Sequence, residues 1–277
     1  MKPHFIFPCD PLNDRRVDAV FADQHDALLA AGFNCSVVDL DDPRITFGKN
    51  KQAVLRELCV YRGWMLGEKE YERLLHTIQT YGGYPITDEN SYLVTHHLPN
   101  WYQYLHDVTP ETMILPNGTY NIADLPELVR GLLPQWGGIV VKDYVKSLKT
   151  GYGHIINENP DILPKIIEQM VQYRGRIEGG LCLRRFEQFI PDSEKRFFCV
   201  NGHAYTAALD SNIRVMAEST YLALAAEVAT RIPSHFFSVD IALTENLTPR
   251  VVEIGDGQVS DLVGWTPEEF AAMWIGQ

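Results

Sequence analysis

Two apolar runs late in the chain each carry one carboxylate. The first is Phe236-Phe237-Ser238-Val239-Asp240-Ile241-Ala242-Leu243. The second is Pro249-Arg250-Val251-Val252-Glu253-Ile254-Gly255-Asp256-Gly257, and the polar stretch Thr244–Thr248 lies between them. Such runs around a polar turn predict a β-hairpin. Pairing Asp240 with Glu253 closes that hairpin at Leu243 and Arg250 and turns both carboxylates to one face. Like charges so placed repel unless a cation lies between them. Hard oxygen donors suit Mg²⁺, which is held by one or two carboxylates together with substrate phosphates. Asp256, just past the run, is a candidate third oxygen ligand. A surface hairpin with solvated acids is the plainer alternative, but the apolar neighbours argue against an open surface.

A second chemical signal is Lys142 within Gly138-Ile139-Val140-Val141-Lys142-Asp143-Tyr144, a buried-strand pattern. An unpaired buried ammonium is costly, so Lys142 requires an anionic partner or a cleft. The following stretch carries Lys146 and Ser147 and then Gly151 and Gly153. Backbone N–H groups of such a loop can wrap phosphates. It lacks the spacing of a Walker A motif, and an ordinary glycine turn is the plainer reading. His96 and His97 invite a metal reading, but neighbours on a helix point apart and do not share an ion easily.

The elements that must position these groups follow from hydrophobic period. His4–Pro8 reads as a strand, with Asn13 or Asp14 capping a helix over Val17–Leu29 that Gly32 ends. Further strands are expected at Cys35–Asp39 and at Leu58–Trp64, which carries Arg62. Helices are expected around Tyr71–Ile78 and from Asn90 through Tyr104, and a strand at Met113–Pro116. This part reads as an N-terminal α/β domain over residues 1–116. Asp10 and Asn13 would lie where parallel sheets bind ligands, with helix capping an equally good role. From 117 to 277 the pattern changes to helices plus antiparallel strands, an α+β arrangement. Gly180–Pro191 reads as one long strand leaving its sheet at the proline. Asn201-Gly202 is a strong hairpin turn.

Composition sets limits. A chain of 277 residues can form two modest domains or one large one. The net charge of −12 disfavours nucleic-acid binding through a basic footprint. The five cysteines have no paired metal spacing and fit reduced thiols of a cytoplasmic protein. There is no apolar signal region at the N-terminus and no run long enough to span a bilayer, so no membrane association is expected. Oligomeric state is left open, a homo-oligomer included.

The order of parts resembles the ATP-grasp superfamily, most closely its R2K clade. The resemblance rests on Val-Val-Lys142-Asp-Tyr-Val-Lys146-Ser147, on Phe-Glu187-Gln188-Phe189-Ile190, on Ser-Glu194-Lys-Arg196-Phe-Phe, and on Val-Asp240 followed by Val-Val-Glu253-Ile-Gly-Asp256-Gly-Gln. Asp-Pro-Leu-Asn near the N-terminus and Tyr-Arg62-Gly-Trp-Met are also similar to that clade. The resemblance implies a pre-ATP-grasp-like α/β domain followed by a two-lobed ATP-grasp region with antiparallel sheets. ATP and Mg²⁺ are the implied cofactors. Lys142, Lys146 and Ser147 would serve the phosphates, and Glu187, Gln188, Phe189 and Ile190 the adenine. Glu194 would hold ribose, and Arg196 would neutralise the transferring phosphoryl group. Asp240, Glu253 and Asp256 would hold metal. The commonest pattern of the superfamily has asparagine where this chain has Gly255, which leaves the number of metal ions open. The implied reaction joins a carboxylate to an amine through an acylphosphate, on small-molecule or peptide substrates. Arg62 and Arg184 are the candidates to grip the substrate carboxylate, against surface ion pairing as their alternative. A small-molecule kinase on the same fold and a nucleotide-binding module without turnover are the competing readings. A glycosyltransferase-like protein is remote, since it needs a parallel second half.

Overall fold

The computed structural model describes residues 2–42, 44–47, 56–145, 154–207 and 215–276. The chain begins with β1 (His4–Asp10), β2 (Asn13–Val17), α1 (Ala22–Ala30), β3 (Asn34–Asp39), β4 (Arg44–Phe47), β5 (Leu58–Tyr61) and α2 (Glu68–Thr80). Next come β6 (Tyr84–Pro85), α3 (Glu89–His96), α4 (Leu98–Leu105), β7 (Thr112–Pro116), α5 (Leu125–Trp136), β8 (Ile139–Asp143), β9 (Ile155–Ile156) and α6 (Leu163–Arg174). It ends with β10 (Gly180–Arg185), β11 (Lys195–Val200), β12 (His203–Thr206), α7 (Val215–Arg231), β13 (Phe236–Leu243), β14 (Pro249–Asp256) and α8 (Pro267–Met273). Two compact units result: Met1–Thr95 with Lys195–Val239 and Gly255–Gln277, and His96–Glu194 with Asp240–Ile254. No helix among the described residues is long and apolar enough to cross a membrane.

In the first unit the sheet runs β4-β3-β1-β5-β6, with β2 added to β1. β3 and β5 flank β1 in parallel. The continuous apolar run of β1 is what a strand buried on both faces requires. Its alternate residues serve two cores: Phe5 and Phe7 join Leu28, Phe33, Phe270 and Trp274, whereas Ile6 joins Tyr71, Leu74, Ile78 and Tyr92. One local expectation is corrected here. Asn13 and Asp14 do not cap a helix but lie in β2, antiparallel to β1. Asp10 Oδ1 accepts from Leu12 N at 2.8 Å and Asn13 Oδ1 from Arg15 N at 3.1 Å. These short side chains satisfy the turn first, and Asp18 takes over the cap, accepting from Val20 N. The Asn201-Gly202 turn joins β11 to β12 with φ of 50° and 81°, the paired positive values that a type I′ hairpin demands.

In the second unit the sheet is β7-β10-β8-β9, antiparallel throughout. One face is apolar. Ile139, Val141, Leu181 and Leu183 pack with Leu125, Val129 and Trp136 of α5 and with Leu163, Ile166, Ile167 and Met170 of α6. Gly137 ends α5 in the left-handed region, at φ 68°, where a side chain would be strained. Three expectations change. Thr112–Pro116 pairs with β10 and so does not belong to the first sheet; a four- or five-residue apolar strand carries no mark of which sheet it joins. The ladder of β10 ends at Arg185, short of Pro191, and Phe189 makes only an isolated bridge to Thr244. The helix expected from Asn90 through Tyr104 is split at extended His97, and α4 restarts with a proline in its first turn.

Candidate active site

The face of the second sheet that turns away from α5 and α6 carries the charges. Lys142 stands opposite Cys182, and Arg184 opposite both Val140 and Thr112. Side chains alternate along a strand, so the apolar partners of these residues fill the helix face while Lys142, Cys182 and Arg184 share the other. That face is covered: Lys142 is 7% and Arg184 5% exposed. Of the anionic partner or cleft that Lys142 requires, the structure supplies a partner: Glu253 Oε1 lies 3.8 Å from Lys142 Nζ. Burial pushes the Lys142 ammonium below its ordinary pKa; Glu253 opposes that shift and Arg184 adds to it. The adjacent Asp143 points to the helix face and pairs with Arg174.

Arg184 is a buried tie. It donates to Val252 O at 2.7 Å, to Val251 O at 3.1 Å and to Thr109 Oγ1 at 2.6 Å. Its guanidinium lies 5.7 Å from the Trp101 ring. Desolvation lowers its pKa to about 10, so it stays charged at neutral pH. Its Nε is buried without a hydrogen-bond partner.

Ser238 Oγ lies 3.4 Å from Gly255 O, and a Cβ on Gly255 would fall 3.0 Å from that hydroxyl. The two positions therefore face each other on one side of the hairpin. Asp240 is 5% exposed. A hard carboxylate beside a lysine, as Glu253 is, suits a divalent cation that completes its shell with phosphate oxygens. No group of three His, Cys, Asp or Glu among the described residues is placed to hold a metal by itself.

Glu187 is gripped bidentately by Arg250, at 2.9 Å to each oxygen, and Arg250 also donates to Asp107 O and Thr109 O. Ile190 N donates to Leu243 O at 2.8 Å, while Gln188 is exposed. Glu194 is exposed. Lys146 and Ser147 lie outside the described residues. Arg250 was expected only to close the hairpin and Thr109 was not singled out; the unusual arginine within an apolar strand could have pointed to the first.

Other expected site residues lie in the first unit. Arg62 is 1% exposed, stacked 4.6 Å from Phe270, and donates to Gln24 Oε1, Gly257 O and Ser260 O. Four of its five N–H groups are taken by protein acceptors. Arg196 donates to Asp261 O at 3.0 Å. Asp256, the expected third metal ligand, is 1% exposed, and its Oδ1 accepts from Gln258 N at 2.9 Å and Gln258 Nε2 at 3.2 Å. Gln258 also accepts from Tyr61 N through Oε1 and from Gly63 N through its carbonyl. It thereby fills the C-terminal end of β5, beside β1, where open parallel sheets bind ligands.

Burial raises the Asp256 carboxyl to about 7, against its hydrogen bonds and the attraction of Arg62. Its folded pKa thus exceeds its unfolded value near 4. Between about pH 4 and 7 the folded state holds a proton that the unfolded chain has released. This contribution is full below pH 4 and is lost as pH rises through 7, on the order of a few kcal/mol. Wild type should lose stability relative to Asp256→Asn as pH rises across that range. A constant difference would mean that Asp256 is ionised throughout.

A family model described as ATP-grasp domain, R2K clade family 3, matches residues 133–273, just over half of the 277 residues. The chain belongs to the R2K clade of ATP-grasp proteins. No curated protein matches it. This ATP-grasp chain is similar in structure to D-cycloserine synthetase DcsG, with TM-score 0.58, 14% identity and coverage of 98% of this chain and 97% of that one. It is similar to the ATP-grasp ligase PsnB complexed with precursor peptide PsnA2 and AMPPNP, with TM-score 0.60, 12% identity and coverage of 99% and 96%. D-alanyl-alanine synthetase A from Vibrio cholerae gives TM-score 0.62 at 10% identity over 100% and 94%. Identities this low establish a shared fold, and the fold implies ATP binding.

Proposed function

We propose that this ATP-grasp protein is an ATP- and Mg²⁺-dependent ligase that joins a carboxylate to an amine. The observation that carries the reading is the pairing of buried Lys142 with half-buried Glu253 at 3.8 Å; strand alternation from Ser238 and Gly255 would turn Asp240 to the same side as Glu253. Lys142 would attract ATP phosphate, and Glu253 and Asp240 would hold Mg²⁺. Mg²⁺ bound there supplies neutralisation of charge on the phosphate oxygens. The Glu187–Ile190 segment, out of the β10 ladder, would offer backbone groups to adenine. Roles for Lys146, Ser147, Glu194 and Arg196 rest on the family resemblance alone. The solved relatives support the ligase class, since those named above are synthetases or ligases.

In the proposed sequence a substrate carboxylate oxygen attacks the γ-phosphorus and ADP leaves, giving an acylphosphate. An amine then attacks the acyl carbon, loses a proton and expels inorganic phosphate. Phosphoryl transfer of this kind asks the protein mainly for positioning and charge neutralisation. The substrates would be small molecules or peptides bearing the two groups.

The test is a panel of amino acids and short peptides with ATP, Mg²⁺ and hydroxylamine. Substrate-dependent phosphate release together with a hydroxamate is expected. ATP consumed into a stable phosphorylated substrate, without free phosphate, would make the protein a kinase. ATP binding with no turnover on any substrate would leave a nucleotide-binding module.

A further inference from the structure

The geometry points to Arg184 as the positioning residue that sets the direction of Glu253. The inference rests on the proposed Mg²⁺–ATP site. Successive carbonyls of a regular strand point to opposite edges. Arg184 nevertheless takes both Val251 O and Val252 O, the two carbonyls immediately before Glu253. Burial along β14 loses its alternation at the same place: Val251 and Ile254 are buried, Val252 and Glu253 only half-buried. An interruption of this kind re-aims the side chains beside it. Three further ties hold it. Thr109 Oγ1 accepts from Arg184 and donates to Val251 O at 2.8 Å. Val251 N donates to Val108 O at 2.9 Å. Arg250 pins the same 107–109 segment from the neighbouring position.

Arg184 does not itself present its charge to a ligand through these donors; it acts through the peptide planes that lead into Glu253. A lysine cannot reproduce this, because an ammonium lacks the planar fork that reaches two carbonyls and a hydroxyl together. Groups that orient a metal-binding side chain from behind commonly change metal affinity 10- to 100-fold.

The experiment measures affinity for a fluorescent ATP analogue with and without Mg²⁺, which isolates the tightening due to metal. Wild type, Arg184→Lys, Glu253→Gln and the double variant are compared. Arg184→Lys should lose about tenfold of the Mg²⁺-dependent tightening. The double variant should lose no more than Glu253→Gln alone, since a residue acting through Glu253 has nothing left to orient. Full tightening in Arg184→Lys, or a further loss in the double variant, overturns the inference. If Arg184→Lys does not fold, Thr109→Val takes its place, with the same non-additivity required. Wild type that binds no nucleotide overturns the ATP reading itself, and is recognised without any variant.

Discussion

Glu253→Gln should lower Mg²⁺-dependent ATP turnover roughly 10²- to 10³-fold, the usual loss when one stabiliser of transition-state charge is removed. The variant keeps the shape of the side chain and loses the charge that faces Lys142 at 3.8 Å. From sequence alone, relief of carboxylate repulsion promised a neutral or stabilising change. The structure reverses that sign: the near neighbour of Glu253 is a buried ammonium, which the variant leaves less compensated. The Glu253 side chain is 40% exposed, so solvent screens the pair and the cost in stability is about 1 kcal/mol. Thermal melting of the ligand-free variant and turnover per folded molecule together check both halves. A variant that melts far lower yet turns over normally would make Glu253 structural and remove the centre of the proposed function.

Arg62→Ala should produce the larger stability effect, about 3–5 kcal/mol, the range seen when one member of a buried charged network is deleted. The substitution strands the Gly257 and Ser260 carbonyls and Gln24 Oε1, and opens a hole against Phe270. It also removes the cation nearest in effect to Asp256. Arg62→Lys should recover only part, because one ammonium cannot serve acceptors spread around a planar fork. Chemical denaturation measures the loss directly. Should Arg62→Ala melt like wild type and lose only substrate use, the substrate role expected from sequence would stand instead.

Much of the site was legible because strand alternation is local. Val-Val-Lys142-Asp read as a buried strand carrying an ammonium, and Gly180–Arg185 as a strand, and the two pair in one sheet. The two apolar runs Phe236–Leu243 and Pro249–Asp256 likewise form neighbouring strands. Misreadings arose where a choice was not local. Thr112–Pro116 is short and apolar and satisfies either sheet, and only its ladder with Gly180–Arg184 decides the matter. Asn13 can cap or turn with the same side-chain oxygen, and the return of the chain onto β1 selects the turn.

The sequence by itself determined that Lys142 lies in a buried strand and needs an anionic partner or a cleft, and that Asn201-Gly202 reverses the chain. These follow from periodicity, left-handed backbone preference and the cost of an uncompensated charge, all properties of short stretches. Tertiary structure alone decided which anion serves Lys142 and what the arginines do. An arginine in an apolar strand reads the same whether it awaits a ligand or is filled by its own protein. The difference lies in carbonyls from distant segments: those of Val251 and Val252 for Arg184, and those of Gly257 and Ser260 for Arg62. Backbone acceptors carry no residue identity, so their use by a side chain leaves no trace in the sequence until the chain has folded around it.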